Sequence, residues 1–84
     1  MEGLTIGRIV HYNPWSNEVR WSDTKCRAAI VTNVFDNDMA NLTVFMDWQN
    51  DGEQYRDCPL FWATSRLYSE ELGKQGTWHW PEKV

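Results

Sequence analysis

Residues 76–82 read Gly-Thr-Trp-His-Trp-Pro-Glu, and this aromatic segment near the end of the chain decides the fold. Terminal segments are normally polar and frayed unless something holds them down, and free indole rings would leave a large apolar area in water. We therefore expect the segment to close the fold or to line a binding surface. If it is a strand, alternation places Trp78 and Trp80 on one face and His79 on the other.

Four further segments combine β-branched and aromatic residues and are bounded by turn residues. They are residues 4–12, 26–35, 41–48 and 60–63. In the third segment every second residue from Leu42 to Trp48 is apolar, which predicts the core face, and Phe45 is an apolar exception on the other face. Five short strands predict an all-β fold in which residues 1–84 form a single small five-stranded SH3-like barrel or sandwich. Its last strand is expected to pair with an early one.

The connections between the strands carry predictions of their own. Residues 50–52, Asn-Asp-Gly, predict a tight hairpin turn, because Asp-Gly readily supplies the positive φ angles that such a turn needs. A return strand is then expected over residues 53–57, interrupted by Pro59. Residues 66–73 are expected to form one short helical turn.

The aromatic content predicts that some rings lie at the surface. Six Trp, three Tyr and three Phe are too many for a chain of 84 residues to bury completely. Trp15 and Trp21 lie in a polar loop, residues 13–25, and together with Phe45 they are candidate interface residues of a homo-oligomer or of a contact with another protein. The alternative is that the two loop tryptophans fold back and cap the barrel.

Charge and hydropathy exclude some classes of partner. The net charge of −4 argues against general nucleic-acid binding, which needs a basic surface. No apolar stretch approaches the ~20 residues of a transmembrane helix, and residues 1–3 do not resemble a signal peptide. We therefore expect no membrane partner and a cytoplasmic protein. Cys26 and Cys58 are expected to be reduced, with a disulfide between them as the alternative.

The sequence carries no catalytic signature. No nucleophile motif, metalloprotease motif or phosphate-binding glycine loop is present, so we predict no catalytic residues and no enzyme activity. His11 and His79 are the only candidate general bases of the imidazole type. Together with Cys26 and Cys58 they fit no zinc-binding spacing, and we therefore predict neither a metal site nor a cofactor.

Arginines beside aromatic residues favour a nucleotide-like ligand, because guanidinium groups bind phosphates and indole rings stack on bases. The alternative is that each arginine is solvated or pairs with one of the acidic residues. The candidate ligand contacts are Arg8, His11, Tyr12, Arg27, Trp78, His79 and Trp80.

Four blocks of the sequence resemble a family of short phage and prophage proteins that share them in this order. They are residues 7–12 (GRIVHY), 26–32 (CRAAIVT), 41–45 (NLTVF) and 76–84 (GTWHWPEKV). The chain departs from the family in its Trp-rich first loop and in residues 49–75. The resemblance implies a phage-encoded accessory protein that acts in the cytoplasm of a bacterial host.

By analogy with other small phage proteins, the leading expectation is a non-enzymatic protein that sequesters a nucleotide-like small molecule and so counters host antiviral defence. The first alternative is an acidic inhibitor that binds a host defence enzyme. The second is a structural or assembly accessory protein of the virion.

Overall fold

The computed structural model describes residues 2–19, 26–71 and 73–81, which form a closed five-stranded barrel. The strands are β1 (Ile9–Tyr12), β2 (Arg27–Val34), β3 (Met39–Phe45), β4 (Leu60–Tyr68) and β5 (Thr77–His79). Neighbours from β1 to β4 are antiparallel. Strand β5 closes the barrel, because it pairs antiparallel with β1 and parallel with β4. The predicted all-β barrel, closed by its last strand against an early one, is confirmed.

The helices of the described residues are short. They are α1 (Trp48–Asp51) and two 3-10 helices, Ser16–Glu18 and Glu53–Tyr55. No helix among these residues has the length and apolar character needed to cross a membrane. Because residues 48–51 and 53–55 are helical, the predicted hairpin turn at 50–52 and return strand at 53–57 are wrong. The N–H of Asp51 donates to the carbonyl of Asp47 (2.7 Å), and the Asp51 carboxylate accepts the N–H of Asp47 (2.8 Å), which closes a helical turn instead.

The predicted helical turn at 66–73 is wrong as well, because residues 66–68 complete β4. There Leu67 pairs with Met39 of β3 on one side and with Thr77 of β5 on the other. Two neighbouring strands thus supply the hydrogen bonds that a helix would have made internally. At the start of the chain β1 begins at Ile9, since Gly7 takes a φ of 90°.

The core combines two large rings with small residues opposite them. Trp78 and Tyr12 are fully buried, and the alanines that share the barrel interior leave room for them. The predicted core face of β3 is confirmed from Leu42 to Met46. The fully buried apolar residues are Val10, Tyr12, Ala29, Val31, Ala40, Leu42, Val44, Ala63 and Trp78.

The aromatic segment that predicts the fold forms β5 and the residue after it. The Trp78 ring lies edge-on to Trp80 (5.2 Å between ring centroids) and contacts Tyr68 (5.0 Å). Its indole N–H donates to the carbonyl of Asp38 at 3.0 Å, so the polar atom of the ring is satisfied inside the molecule. Trp80 is half-buried against the core. The segment is therefore a structural strand, and His79 is its outward-facing ring.

Candidate functional site

Two rows of side chains cross the outer face of the barrel from strand to strand. In the first row, His11 pairs with His79 on one side and with Ala28 on the other, and Phe45 pairs with Leu60. Ala28 and Phe45 are neighbours because the residues next to them, Ala29 and Val44, are paired. We call this first row the histidine row: His79, His11, Ala28, Phe45 and Leu60. The second is the tryptophan row: Ile9, Ile30, Thr43 and Trp62.

The large apolar members of the two rows form an apolar band on the outer side of strands β1 to β4, interrupted by Thr43. We call it the apolar face, and it consists of Ile9, Ile30, Phe45, Leu60 and Trp62. Trp62 is 64% exposed and Ile9 is 58% exposed, which are high values for large apolar side chains. Several exposed large apolar side chains on neighbouring strands mark an interaction site more often than a single exposed leucine does.

A group of potential metal ligands lies at the β5 end of the histidine row. We call it the His-Cys cluster: His11, Cys26 and His79. One ligand atom from each residue lies within 4.8 Å of the other two. Cys26 Sγ is 3.2 Å from His11 Nδ1, and the two imidazole rings meet edge to face with their centroids 5.6 Å apart. All three residues are half-buried, so the cluster is reachable from solvent.

Strand pairing explains why these three residues meet. His11 and His79 are directly opposite each other on β1 and β5, a position that brings Cβ atoms to about 5 Å. Cys26 precedes β2 and lies two residues before Ala28, the partner of His11, so alternation puts the thiol on the same face.

A buried amide holds one of the imidazoles. Asn13 Nδ2 lies 3.2 Å from His79 Nδ1 and donates a longer hydrogen bond (3.4 Å) to Thr77 Oγ1. The Thr77 hydroxyl in turn donates to the carbonyl of Lys74 at 2.7 Å. This chain of contacts restrains the orientation of the His79 ring, as partners of metal-binding histidines do.

The cluster can perform two kinds of chemistry. Imidazole nitrogens and a thiolate are ligands of Zn²⁺ and of other divalent transition metals. A thiol beside an imidazole is also the start of a nucleophile–base pair. No cavity is present in the part of the chain that the structure describes.

Arg27, a predicted ligand contact, is committed to an internal ion pair. Its Nε and a terminal nitrogen donate to the two carboxylate oxygens of Asp51 at 3.1 and 2.6 Å. Asp51 is 1% exposed. Burial alone would raise the pKa of Asp51, but the hydrogen bonds from Arg27 and the Asp47 N–H, together with the Arg27 charge, hold it below its ordinary value. A phosphate at Arg27 would have to displace this carboxylate.

Tyr12 and Trp78 are core residues, which corrects the expectation that they contact a ligand at the surface. Both side chains are fully buried. The Tyr12 hydroxyl donates to Glu18 Oε1 at 2.8 Å, and burial together with the Glu18 carboxylate raises the pKa of Tyr12. These rings are large and apolar, and their burial supplies much of the apolar area that a small barrel removes from water.

The remaining predicted ligand contacts form two separate pairs. His11 and His79 meet in the His-Cys cluster. The Arg8 guanidinium lies over the Trp80 ring, 5.2 Å from its centroid, and Arg8 is exposed. These two pairs are the parts of the predicted ligand set that the fold leaves near solvent.

The predicted interface residues have three different outcomes. Phe45 is exposed and belongs to the apolar face. Trp15 is partly exposed, but its indole packs so closely against Gly76 that a Cβ there would lie 2.5 Å from Trp15 Nε1. Trp21 lies outside the described residues.

Sequence reasoning missed Asn13 and Trp62 as candidate site residues. It considered Cys26 together with His11 and His79 and rejected a metal site on the spacing of cysteine and histidine along the chain. That criterion suits ligands on one hairpin or helix, whereas these ligands come from the starts or ends of three separate segments. One signal was available. If β5 closes against β1 with Tyr12 and Trp78 inside, alternation already places His11 and His79 on the outer face, although the register that brings them opposite each other needs the structure.

A comparison of the chain with protein-family models, with curated proteins and with solved structures finds no match. The resemblance to short phage proteins therefore stays a prediction that rests on the four sequence blocks.

Proposed function

We propose that this protein is a non-enzymatic binding protein and that the apolar face is its contact surface for another protein. The observation that carries the proposal is the position of Trp62, which is 64% exposed within strand β4 and lies opposite the uncharged Thr43. An exposed tryptophan of this kind is costly in water and is the residue type most enriched at the centre of protein interfaces.

The shape and charge of the surface favour a protein over a small molecule. Small-molecule sites are concave and bury most of the ligand, and the described residues offer no cavity. The exposed carboxylates Asp47 and Asp57 border the Phe45–Leu60 end of the apolar face, in a chain of net charge −4. The complementary partner is an apolar patch with a rim of Lys and Arg.

The biological role we propose for this contact is that of a phage accessory protein that inhibits a host defence protein in the bacterial cytoplasm. This part of the proposal is supported by the resemblance of the four sequence blocks and by the acidic charge. We therefore prefer the inhibitor hypothesis to the capture of a nucleotide-like ligand, which the sequence alone favours. Homo-oligomerisation also stays a prediction, and it competes for the same surface.

The test compares two substitutions on one strand. Trp62→Ser removes the most exposed member of the apolar face. Leu67→Ser removes another exposed apolar side chain (48% exposed) from the far end of β4, outside both rows. Proteins retained from a host lysate are identified by mass spectrometry, purified, and titrated against both variants and the wild type. We expect Trp62→Ser to weaken binding at least about 10-fold and Leu67→Ser to leave it unchanged.

Three results would overturn this proposal. The first is equal binding of the purified partner to both variants, and the second is the absence of any retained partner. The third is concentration-dependent self-association in sedimentation analysis that Trp62→Ser abolishes, because the apolar face would then belong to a second copy of this chain.

A second candidate, nucleotide-like ligand binding, is favoured by the Arg8–Trp80 pair. A guanidinium 5.2 Å from the centre of an indole ring presents a phosphate donor beside a stacking surface. Without a cavity, such a ligand would be enclosed only between two copies of the chain. A panel of cyclic dinucleotides and ADP-ribose derivatives should then raise the Tm of the wild type and not of Arg8→Ala. An unchanged Tm across the panel would eliminate this candidate.

A further inference from the structure

We propose that the His-Cys cluster binds one divalent transition-metal ion, with Zn²⁺ as the best fit, through His11, Cys26 and His79. The inference is independent of the apolar face and of the partner proposed for it. It rests on three ligand-bearing side chains that the barrel brings to one point on its outer surface.

The distances are close to those of a loaded site. Zn–N bonds of about 2.0 Å and Zn–S bonds of about 2.3 Å in a tetrahedron separate neighbouring ligand atoms by roughly 3.3–3.6 Å. Cys26 Sγ and His11 Nδ1 are already 3.2 Å apart. The three ligand atoms lie within 4.8 Å of one another, so a side-chain displacement of about 1 Å brings them to the separations of a tetrahedral zinc site.

The donor set selects the class of metal. Two imidazole nitrogens and one sulfur are borderline-to-soft ligands, and no carboxylate of the described residues belongs to the cluster. Ca²⁺ and Mg²⁺ prefer oxygen ligands, whereas Zn²⁺, Co²⁺ and Cu²⁺ prefer nitrogen and sulfur. On binding, the Cys26 S–H bond breaks, a metal–thiolate bond forms and one proton passes to solvent.

The surroundings are built to hold the ligands. His11 and His79 sit on paired strands of a closed barrel, which limits their backbone motion. The Asn13 amide nitrogen lies 3.2 Å from His79 Nδ1 and restrains the position of this ring. The described residues supply three ligands, and a tetrahedral ion takes a fourth.

The experiment titrates reduced, metal-free protein with Zn²⁺ against a chromophoric chelator and with Co²⁺ by absorption spectroscopy. Cys26→Ser and His79→Gln remove one ligand each, and Cys58→Ser is the matched control because Cys58 is exposed and lies outside the cluster. We expect one ion per chain, thiolate-to-cobalt charge-transfer absorption and a Zn²⁺-dependent rise in Tm. Each ligand substitution should lower Zn²⁺ affinity by more than about 100-fold, and Cys58→Ser should not change it.

Two results would overturn the proposal. One is a wild-type chain that neither competes with the chelator nor shows thiolate-to-cobalt absorption. The other is binding that survives both Cys26→Ser and His79→Gln. Circular dichroism of each metal-free variant verifies that the barrel is folded, so that loss of binding reports loss of a ligand.

Discussion

Two neighbouring rows of side chains cross the β5–β1–β2 ladder, and they serve opposite purposes. The inward row is Trp78, Tyr12 and Arg27, and the outward row is His79, His11 and Ala28. The polar atoms of the inward row reach internal partners: Asp38 for Trp78, Glu18 for Tyr12 and Asp51 for Arg27. The outward row instead gathers imidazoles beside a thiol at the surface. Residues that stabilise the barrel and residues that are available for binding at its surface are therefore separated by a single position along each strand.

The largest effect is expected for Trp78→Ala. This substitution empties the centre of the inward row, where the ring contacts Tyr68 and Trp80 and is fully buried. We expect a loss of about 4 kcal/mol in the free energy of unfolding, measured by urea denaturation. Removal of every residue after Gly76 should unfold the domain for the same reason. A folded barrel that retains its stability without Trp78 would contradict the structural role of this row.

Asp51→Ala should have the next largest effect. It removes the carboxylate that receives two hydrogen bonds from the Arg27 guanidinium, which is 13% exposed. We expect a loss of about 3 kcal/mol in the free energy of unfolding near pH 7.

The same pair predicts a pH dependence with a definite sign. The pKa of Asp51 is lowered in the folded state, so its contribution is present above the unfolded pKa of about 4 and is lost as the pH falls through the folded value. The stability difference between the wild type and Asp51→Ala should therefore shrink below about pH 4. A difference that stays constant to pH 2 would show that the ion pair is not its source.

Gly76→Ala should have a smaller effect, of about 2 kcal/mol. Gly76 has a φ of 79°, and an added Cβ would lie 2.5 Å from Trp15 Nε1. The N–H of Gly76 also donates to the carbonyl of Asn13 at 2.7 Å, which places the chain for entry into β5. The double variant Gly76→Ala, Trp15→Ala relieves the contact but not the strain, so it should recover part of the loss in thermal denaturation. No recovery would mean that backbone strain alone is responsible.

The sequence predicts the barrel well, because strand alternation and the burial of aromatic rings are local signals. The spacing of apolar residues along the chain predicts the buried positions Leu42, Val44 and Met46. The aromatic character of the last strand predicts that Trp78 closes the barrel. Helix α1 could not be predicted this way, since Asn-Asp-Gly is typical of a hairpin and only the Asp51 contacts with Asp47 and Arg27 favour a helical turn.

The candidate site lies beyond local signals for a different reason. The register between β1 and β5 joins positions 11 and 79, and the register between β1 and β2 brings position 26 beside them. Neither register follows from spacing along the chain. The apolar face likewise needs four strands in register before Trp62 and Ile9 share a row.

The most direct test of the division between inward and outward rows is urea denaturation of the metal-free double variant His11→Ala, Trp62→Ser. It removes one member of the histidine row and one of the tryptophan row and leaves the inward row intact. We predict a free energy of unfolding within about 1 kcal/mol of the wild type. A loss of about 3 kcal/mol or more, comparable to that of Asp51→Ala, would show that the outward rows hold the fold together and would contradict their assignment to binding.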